Sequence, residues 1–288
     1  MKCLVIDCNY VCHAIFHSMP ALSFHYKYTQ IIFGFVKKMI SYAEEFRPNN
    51  IAFVWDSRYS IRKEIYPQYK QHRIKRDQEA SEEEKHNKRI AHLQFTEIRE
   101  TVLPNLGFSN VFMCDGYEGD DVMASITINN NGYKFIVITT DQDIYQLIND
   151  NCELYNPVTK TFRTRESFNE EYGCDPSLWG KAKSIAGCGT DNVAGVKGVA
   201  EKTAIKYLLG QLSHKSKKYI DIKSASSLIS ENEELIILPM HGIEKVIINK
   251  NNSLSRKKFV DVCDGYGFRS LINKKNLDKW DRIVNWTQ

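Results

Sequence analysis

Four short apolar runs, each delivering an acidic residue at or just beyond its end, constrain this chain more than any other feature. Cys3–Ile6 runs into Asp7 and Ile51–Trp55 into Asp56. Val111–Cys114 leads to Asp115 and Glu118, and Phe135–Ile138 reaches Asp141 and Asp143 through two threonines. Such runs, short and rich in branched residues, read as strands covered on both faces. Longer segments with helical periodicity lie between them. Thr29–Phe46 repeats apolar side chains at Ile32, Phe35, Val36, Met39, Ile40 and Ala43 and stops before Arg47 and Pro48. Residues 79–102 read as one long helix with a capping box, Ser81 and Glu84, near its start. Strands alternating with helices predict an α/β fold with a central, mostly parallel sheet flanked by helices.

In an open parallel sheet, ligands bind just beyond the carboxyl ends of the strands, so the acids at those ends are expected to meet. A lone acid after a strand is as readily a helix cap or a turn residue. Four strand ends carrying acids point instead to a site. Carboxylates crowded in a partly dry cleft repel one another, and divalent cations are the simplest neutraliser. No His or Cys accompanies these acids at ligand spacing, which favours Mg²⁺ or Mn²⁺ over zinc. Two such ions roughly 4 Å apart suit the in-line hydrolysis of a phosphodiester. Glu118 and Asp121 sit three positions apart at a helix start and can share a face, whereas Asp120 needs the preceding turn to aim it. Asp115 is the weakest candidate, since it also serves as a strand exit.

The 288 residues, 42% apolar and 26% charged, are those of an ordinary folded chain with one large domain or one domain and an appendage. No stretch approaches the roughly 20 apolar residues of a membrane span, and Asp7 falls too early for a signal peptide, so a cytoplasmic location is expected. The eight cysteines are scattered without a C-x-x-C pair and read as reduced core thiols rather than disulfides or a zinc site. The net charge of +4 identifies no partner. Its distribution says more: residues 58–76 hold seven Lys/Arg against Glu64 alone, and 77–100 hold seven acids against four bases. In the second half, Asp175 and Pro176 start a helix. Gly187, Gly189, Gly195 and Gly198 then separate it from another beginning near Glu201, a helix-hairpin-helix pattern. Beyond 210 only mixed basic and apolar stretches are legible.

In order and spacing, these motifs resemble the bacteriophage and bacterial 5′ nucleases, the flap endonucleases and the 5′ nuclease domains attached to DNA polymerases. The residues that carry the resemblance are Leu4–Asp7, Val54–Asp56, Tyr69-Lys70 with Arg73, Tyr117–Asp121, Thr140–Asp143 followed by Gln146 and Leu147, and Asp191-Asn192 with Gly195 and Gly198. The similarity covers residues 1–210, with a late echo in Cys263–Ser270. It implies a nuclease core over 1–173, including a helical arch at about 58–100 that takes up a single-stranded 5′ end. Residues 174–288 would form a helix-hairpin-helix region binding duplex DNA, with a C-terminal extension.

Asp7, Asp56, Glu118, Asp120 and Asp121 would bind or support one metal ion, and Asp141, Asp143 and Asp191 a second. Tyr66 and Tyr69 would offer stacking faces to DNA, and Lys70 and Arg73 would meet the scissile phosphate. At the hairpin, Gly195, Gly198, Lys202 and Lys206 would meet duplex backbone, and main-chain carbonyls near Val196 and Val199 would hold K⁺. The chain departs from the family pattern at two positions. Cys188 stands where an acid of the second metal site is usual, so that site is expected to be weaker for Mg²⁺ and more tolerant of Mn²⁺. Ala200 replaces a usual glycine, which leaves the K⁺ site and the hairpin geometry open.

The implied activity is metal-dependent 5′-3′ exonuclease and flap endonuclease cleavage in primer or flap removal during replication. The expected protein is a free-standing, monomeric nuclease in the cytoplasm, the host's if phage-encoded. DNA with a 5′ flap or 5′ end is the expected partner, with RNA/DNA hybrids and replication proteins as further candidates. Two alternatives share much of the pattern: a PIN-type ribonuclease, which needs neither arch nor glycine hairpin, and a branch-point DNA-binding protein without turnover. A haloacid-dehalogenase-type phosphatase requires a second Asp two residues after the first, and position 9 is Asn.

Overall fold

The apolar runs form the middle of one six-stranded sheet in the computed structural model, which describes residues 1–287. Strand β1 (Lys2–Asp7) pairs in parallel with β4 (Asn50–Val54) on one side and β6 (Lys134–Ile138) on the other. Strand β5 (Val111–Phe112) continues the parallel sheet beyond β4, and β7 (Cys152–Asn156) beyond β6. Only β8 (Thr161–Arg163), on the β7 edge, is antiparallel, giving the order β5-β4-β1-β6-β7-β8. The hairpin β2–β3 (Ser23–Phe24, Lys27–Tyr28) and the pair β9–β10 (Gly187–Cys188, Val193–Ala194) stand apart from the sheet. The mostly parallel sheet is therefore as expected. The β7–β8 hairpin was not legible because its apolar positions are few and alternate with polar ones.

Period-two alternation sends neighbouring side chains to opposite faces, and both faces are covered. Leu4, Ile6, Ile51, Phe53, Trp55, Ile136 and Ile138 enter one core. Cys3, Val5, Ala52, Val54, Phe135 and Val137 enter the other. The first core is closed by α1 (Cys8–Ser18), α2 (Gln30–Phe46), α5 (Glu82–Glu97), α13 (Arg256–Gly265) and α14 (Lys274–Trp286). Trp280 of α14 is wholly buried, stacks on Phe259 at 4.5 Å, and donates its indole N–H to the Ser255 carbonyl. The second core is closed by α7 (Gly119–Asn129), α8 (Arg165–Tyr172), α9 (Trp179–Ala186), α10 (Glu201–Leu208) and α11 (Lys217–Ser224), with α12 (Ser226–Ile236) packed on α9. The residues after 173 thus help cover both faces of the sheet.

The segment read as one helix over 79–102 is helical from Glu82 on, with its capping box in place, and separate helices precede it. Helix α3 (Ile61–Ile65) is followed by α4 (Gln71–Glu79), and α5 begins only at Glu82. Ala80 is extended and Ser81 caps the new helix, with the reciprocal Ser81 and Glu84 bonds in place, so the capping box that starts α5 also ends α4. One π-helical turn, Ile98–Val102, joins α5 to α6 (Leu103–Leu106). Pro104 has no N–H to offer the Glu100 carbonyl, and the wider turn accommodates that loss. Helix α4 buries no residue, whereas α5 docks through Ala91, Gln94 and Phe95, the Gln94 side chain accepting from the Ile31 amide at 2.9 Å. No helix among the described residues is long and apolar enough to cross a membrane.

Candidate metal and nucleic-acid site

The parallel register fixes the level at which the acids emerge. Asp7 lies opposite Val54, two residues before Asp56, and its neighbour Ile6 lies opposite Ile138, three residues before Asp141. Asp7 is also the N-cap of α1: one oxygen accepts from the Tyr10 amide at 2.9 Å, the other from the Thr139 hydroxyl at 3.2 Å. Capping and site membership therefore coincide in one residue. Asp56 accepts from the Gly119 amide at 2.7 Å and from the Asn9 side chain at 2.8 Å. A Cβ on Gly119 would stand 3.0 Å from that Asp56 oxygen, so a larger residue between Glu118 and Asp120 would press on the carboxylate. Asp141 accepts from the Asp143 amide at 2.8 Å, and Asp143 lies 3.2 Å from Lys183 of α9. Asp191, in a short turn after β9, lies 3.2 Å from Arg73 and 3.8 Å from Lys70. Lys70 in turn sits 2.7 Å from Glu118.

Mutual repulsion links these carboxylates into one cluster. Desolvation and then the charges of Asp56 and Asp141 push Asp7 up to about 7. Asp120 is driven well above the usual carboxylate range by desolvation, then by Asp141, Glu118 and Asp7. Asp56 and Asp141 are raised by desolvation, with Glu118 adding to the first and Asp143 to the second. Asp191 is raised by desolvation despite the opposing pull of Lys70. Glu118 differs: desolvation alone would raise it, but Lys70 and Arg62 outweigh that and hold it low. An excess of hard oxygen donors with no surplus of internal cations fits divalent metal ions. Asp115 stands outside this cluster, exposed and bonded to the Ser57 hydroxyl at the strand exit.

Two residues expected at the site do other work. Asp121 is 0% exposed and faces Arg62, itself 2% exposed, through paired hydrogen bonds, one of them Nη2 to Oδ1 at 2.8 Å. It also accepts from the Met240 amide at 2.8 Å, so its lone pairs are spent inside the protein and it supports the site rather than facing an ion. Tyr69 is 2% exposed, and its hydroxyl lies 2.8 Å from Glu118 and 3.1 Å from Asp191. Burial removes the stacking face, and only Tyr66 keeps a partly open ring. The sequence reading assigned no role to Arg62, which also donates to the Leu235 carbonyl at 2.8 Å, or to Lys183; both contacts span distant segments and leave no local pattern.

Asp143, Cys188 and Asp191 each bring one donor atom to within 4.8 Å of the others, so a thiol does stand among the outer acids. Burial and then Asp143 push it up to about 11. Beyond it the chain turns through the hairpin. A Cβ on Gly195 would fall 2.0 Å from the Ala186 carbonyl, and Gly198 has φ +74°, so close approach fixes the first glycine and a left-handed turn the second. The Val196 carbonyl accepts from the Val199 amide at 3.0 Å, and Lys202 and Lys206 are exposed on α10, the helix that follows. All eight cysteines are free.

Comparison with known proteins agrees with this geometry. Residues 2–173 match the model of the 5′-3′ exonuclease, N-terminal resolvase-like domain. DNA polymerase I of Mycobacterium tuberculosis is 30% identical over 215 residues, 71% of this chain but 22% of the polymerase. The chain thus spans about a quarter or less of the curated relatives it matches. Among solved structures, the bacteriophage T5 D15 protein co-crystallised with metal ions superposes over 100% of both chains with a TM-score of 0.72 at 20% identity. The T5 D15 flap endonuclease in a complex with DNA and metal ions gives 0.70 at 20% identity, over 100% of this chain and 99% of the other.

Proposed function

The chain belongs to the 5′-3′ exonuclease family, and from that premise we propose that it is a structure-specific 5′ nuclease, cutting DNA at 5′ flaps and 5′ ends with two divalent ions. The observation that carries the reading is the ring formed by Asp7, Asp56, Glu118, Asp120, Asp141, Asp143 and Asp191, charge-coupled and bordered by Lys70 and Arg73. Mg²⁺ is the ion we assign to the first of the two positions. Asp7, Asp56, Glu118 and Asp120 would hold one ion, and Asp141, Asp143 and Asp191 the other. Bound there, the ions would activate water and stabilise the leaving oxygen.

The protein's own groups do the rest. Lys70 and Arg73, now tied to Glu118 and Asp191, are placed to turn toward a phosphate, Arg73 as a fork and Lys70 as a point charge. Tyr69 keeps the two carboxylates oriented from below. The amides at the start of α10, with Lys202 and Lys206, would bind duplex backbone without reading sequence, and the turn at Val196–Val199 is the candidate K⁺ site. A role in primer or flap removal in the cytoplasm follows from the substrate class.

The test is cleavage of a labelled 5′ flap with and without divalent metal, using Asp141→Asn with Asp143→Asn as the control. Metal-dependent product that the double variant fails to form supports the reading. Binding without product assigns the chain to passive branch recognition, and cleavage confined to single-stranded RNA assigns it to the ribonucleases.

A further inference from the structure

We infer that Cys188 turns the outer half of the acidic cluster into a mixed oxygen and sulfur site that selects thiophilic or borderline divalent ions over Mg²⁺. The inference rests on the nuclease reading for the presence of an ion there, but the ligand set belongs to this chain. Donor atoms of Asp143, Cys188 and Asp191 lie within 4.8 Å of one another, a spread that one ion with bonds of about 2.0–2.5 Å can bridge. The thiol is fixed for the purpose. Cys188 is 2% exposed, its backbone is paired with Val193, and its sulfur lies 3.5 Å from the Asp143 carboxylate and 3.0 Å from the Thr190 hydroxyl.

The two carboxylates of this half are already engaged. Asp143 has Lys183 at 3.2 Å, and Asp191 has Arg73 at 3.2 Å with Lys70 at 3.8 Å. A hard ion would gain two shared carboxylates and a sulfur for which it has little affinity, so Mg²⁺ competes poorly for the place. Mn²⁺ gains more from the sulfur, and Zn²⁺ or Cd²⁺ more again. On binding, the thiol proton leaves to the buffer, the sulfur takes the ion, and the Lys183 ammonium keeps Glu201, now 3.8 Å away, as a second partner. The substitution of a carboxylate by a thiol therefore changes which ion the site accepts, rather than only weakening it.

Titration of the metal-free protein with Cd²⁺, read by the sulfur-to-cadmium charge-transfer absorbance, tests this without reference to catalysis. Wild type should develop a saturable band that Cys188→Ser and Cys188→Asp lack, while Cys114→Ser, which removes the partly exposed thiol, keeps it. Calorimetry should show Cd²⁺ and Zn²⁺ binding at least about tenfold tighter to wild type than to Cys188→Ser. Mg²⁺ should bind more tightly to Cys188→Asp than to wild type. A band unchanged in Cys188→Ser, or metal affinities indifferent to both substitutions, overturns the inference. Flap cleavage assayed in Mg²⁺ and in Mn²⁺ reads the nuclease assignment separately. Cleavage with no Cys188 band removes the sulfur site alone, and a Cys188 band with cleavage in neither ion leaves that site and removes the nuclease.

Discussion

Substituting Arg62 should cost more stability than any other single charge removed from this protein. Arg62 and Asp121 are 2% and 0% exposed, and between them they make paired hydrogen bonds while Arg62 also binds the Leu235 carbonyl and Asp121 the Met240 and Glu118 amides. Removing one partner of such a buried pair leaves an uncompensated charge, a loss of about 3–5 kcal/mol. The two directions are unequal. In Arg62→Met the orphan is Asp121, still served by two amides but with no cation, and the cost should fall at the upper end. In Asp121→Asn the orphan is Arg62, which keeps Glu118 at 3.7 Å as a residual counter-ion, and the cost should fall at the lower end. The double variant Arg62→Met with Asp121→Leu removes both charges, so it should recover at least about 2 kcal/mol against the sum of the singles. Urea denaturation followed by circular dichroism measures all four proteins, with m-values checked for constancy. Single losses below about 1 kcal/mol, or strict additivity, would show that the pair is solvated and that burial has been misread.

Acid pH should stabilise the metal-free protein. Asp7 is raised from 3.8 to about 7 in the folded state, so its contribution is fully present below about 4 and is lost as pH rises through about 7. Melting temperature should therefore fall between pH 4 and 7 in chelator, more steeply in wild type than in Asp7→Asn; equal slopes would refute the coupling. Gly195→Ala should cost about 3 kcal/mol, because its methyl would fall 2.0 Å from a backbone carbonyl that has no room to move, and thermal melts decide it. Lys202→Ala and Lys206→Ala should each weaken duplex binding at any sequence and lower the salt slope by about 0.9 per lost phosphate contact, as fluorescence anisotropy across salt concentrations will show.

The acids were legible because each follows a strand whose apolar run announces it, and a parallel sheet brings strand ends together whatever lies between them. Asp191 follows no strand of that sheet, and its place came from family resemblance alone. What the sequence hid was any contact whose partners share no period. Arg62 meets Asp121 across 59 residues, and Lys183 meets Asp143 from another helix. Tyr69 looked like an open aromatic because it lies in a polar, basic segment, yet its hydroxyl bridges two carboxylates and its ring is buried with them. The chain after 238 was opaque for a related reason. From Met240 to Ile248 it is held by side chains rather than by a ladder, with Asp121, Ser125 and Asn130 bonded to its amides, and such a strap has no hydrophobic period to read.

The basic segment is attached to the acids by two kinds of contact, and they differ in what a cation entering the cluster would do to them. Arg62, at the root in α3, is bound chiefly to Asp121, whose oxygens are already saturated by protein donors, and only at 3.7 Å to Glu118 of the cluster. Lys70 and Arg73, at the start of α4, are bound to Glu118 and Asp191, two members of the ring itself. A divalent ion drawn to those carboxylates would weaken the Lys70 and Arg73 pairs by direct competition, leaving α4, which buries nothing, held at its far end by the Asp77 pair with Lys88 of α5 at 2.6 Å. The root would stay fixed while the side chains expected to meet a phosphate came free of their carboxylates, so adding metal should make Lys70 and Arg73 more accessible to a lysine- or arginine-modifying reagent, and unchanged labelling would refute this.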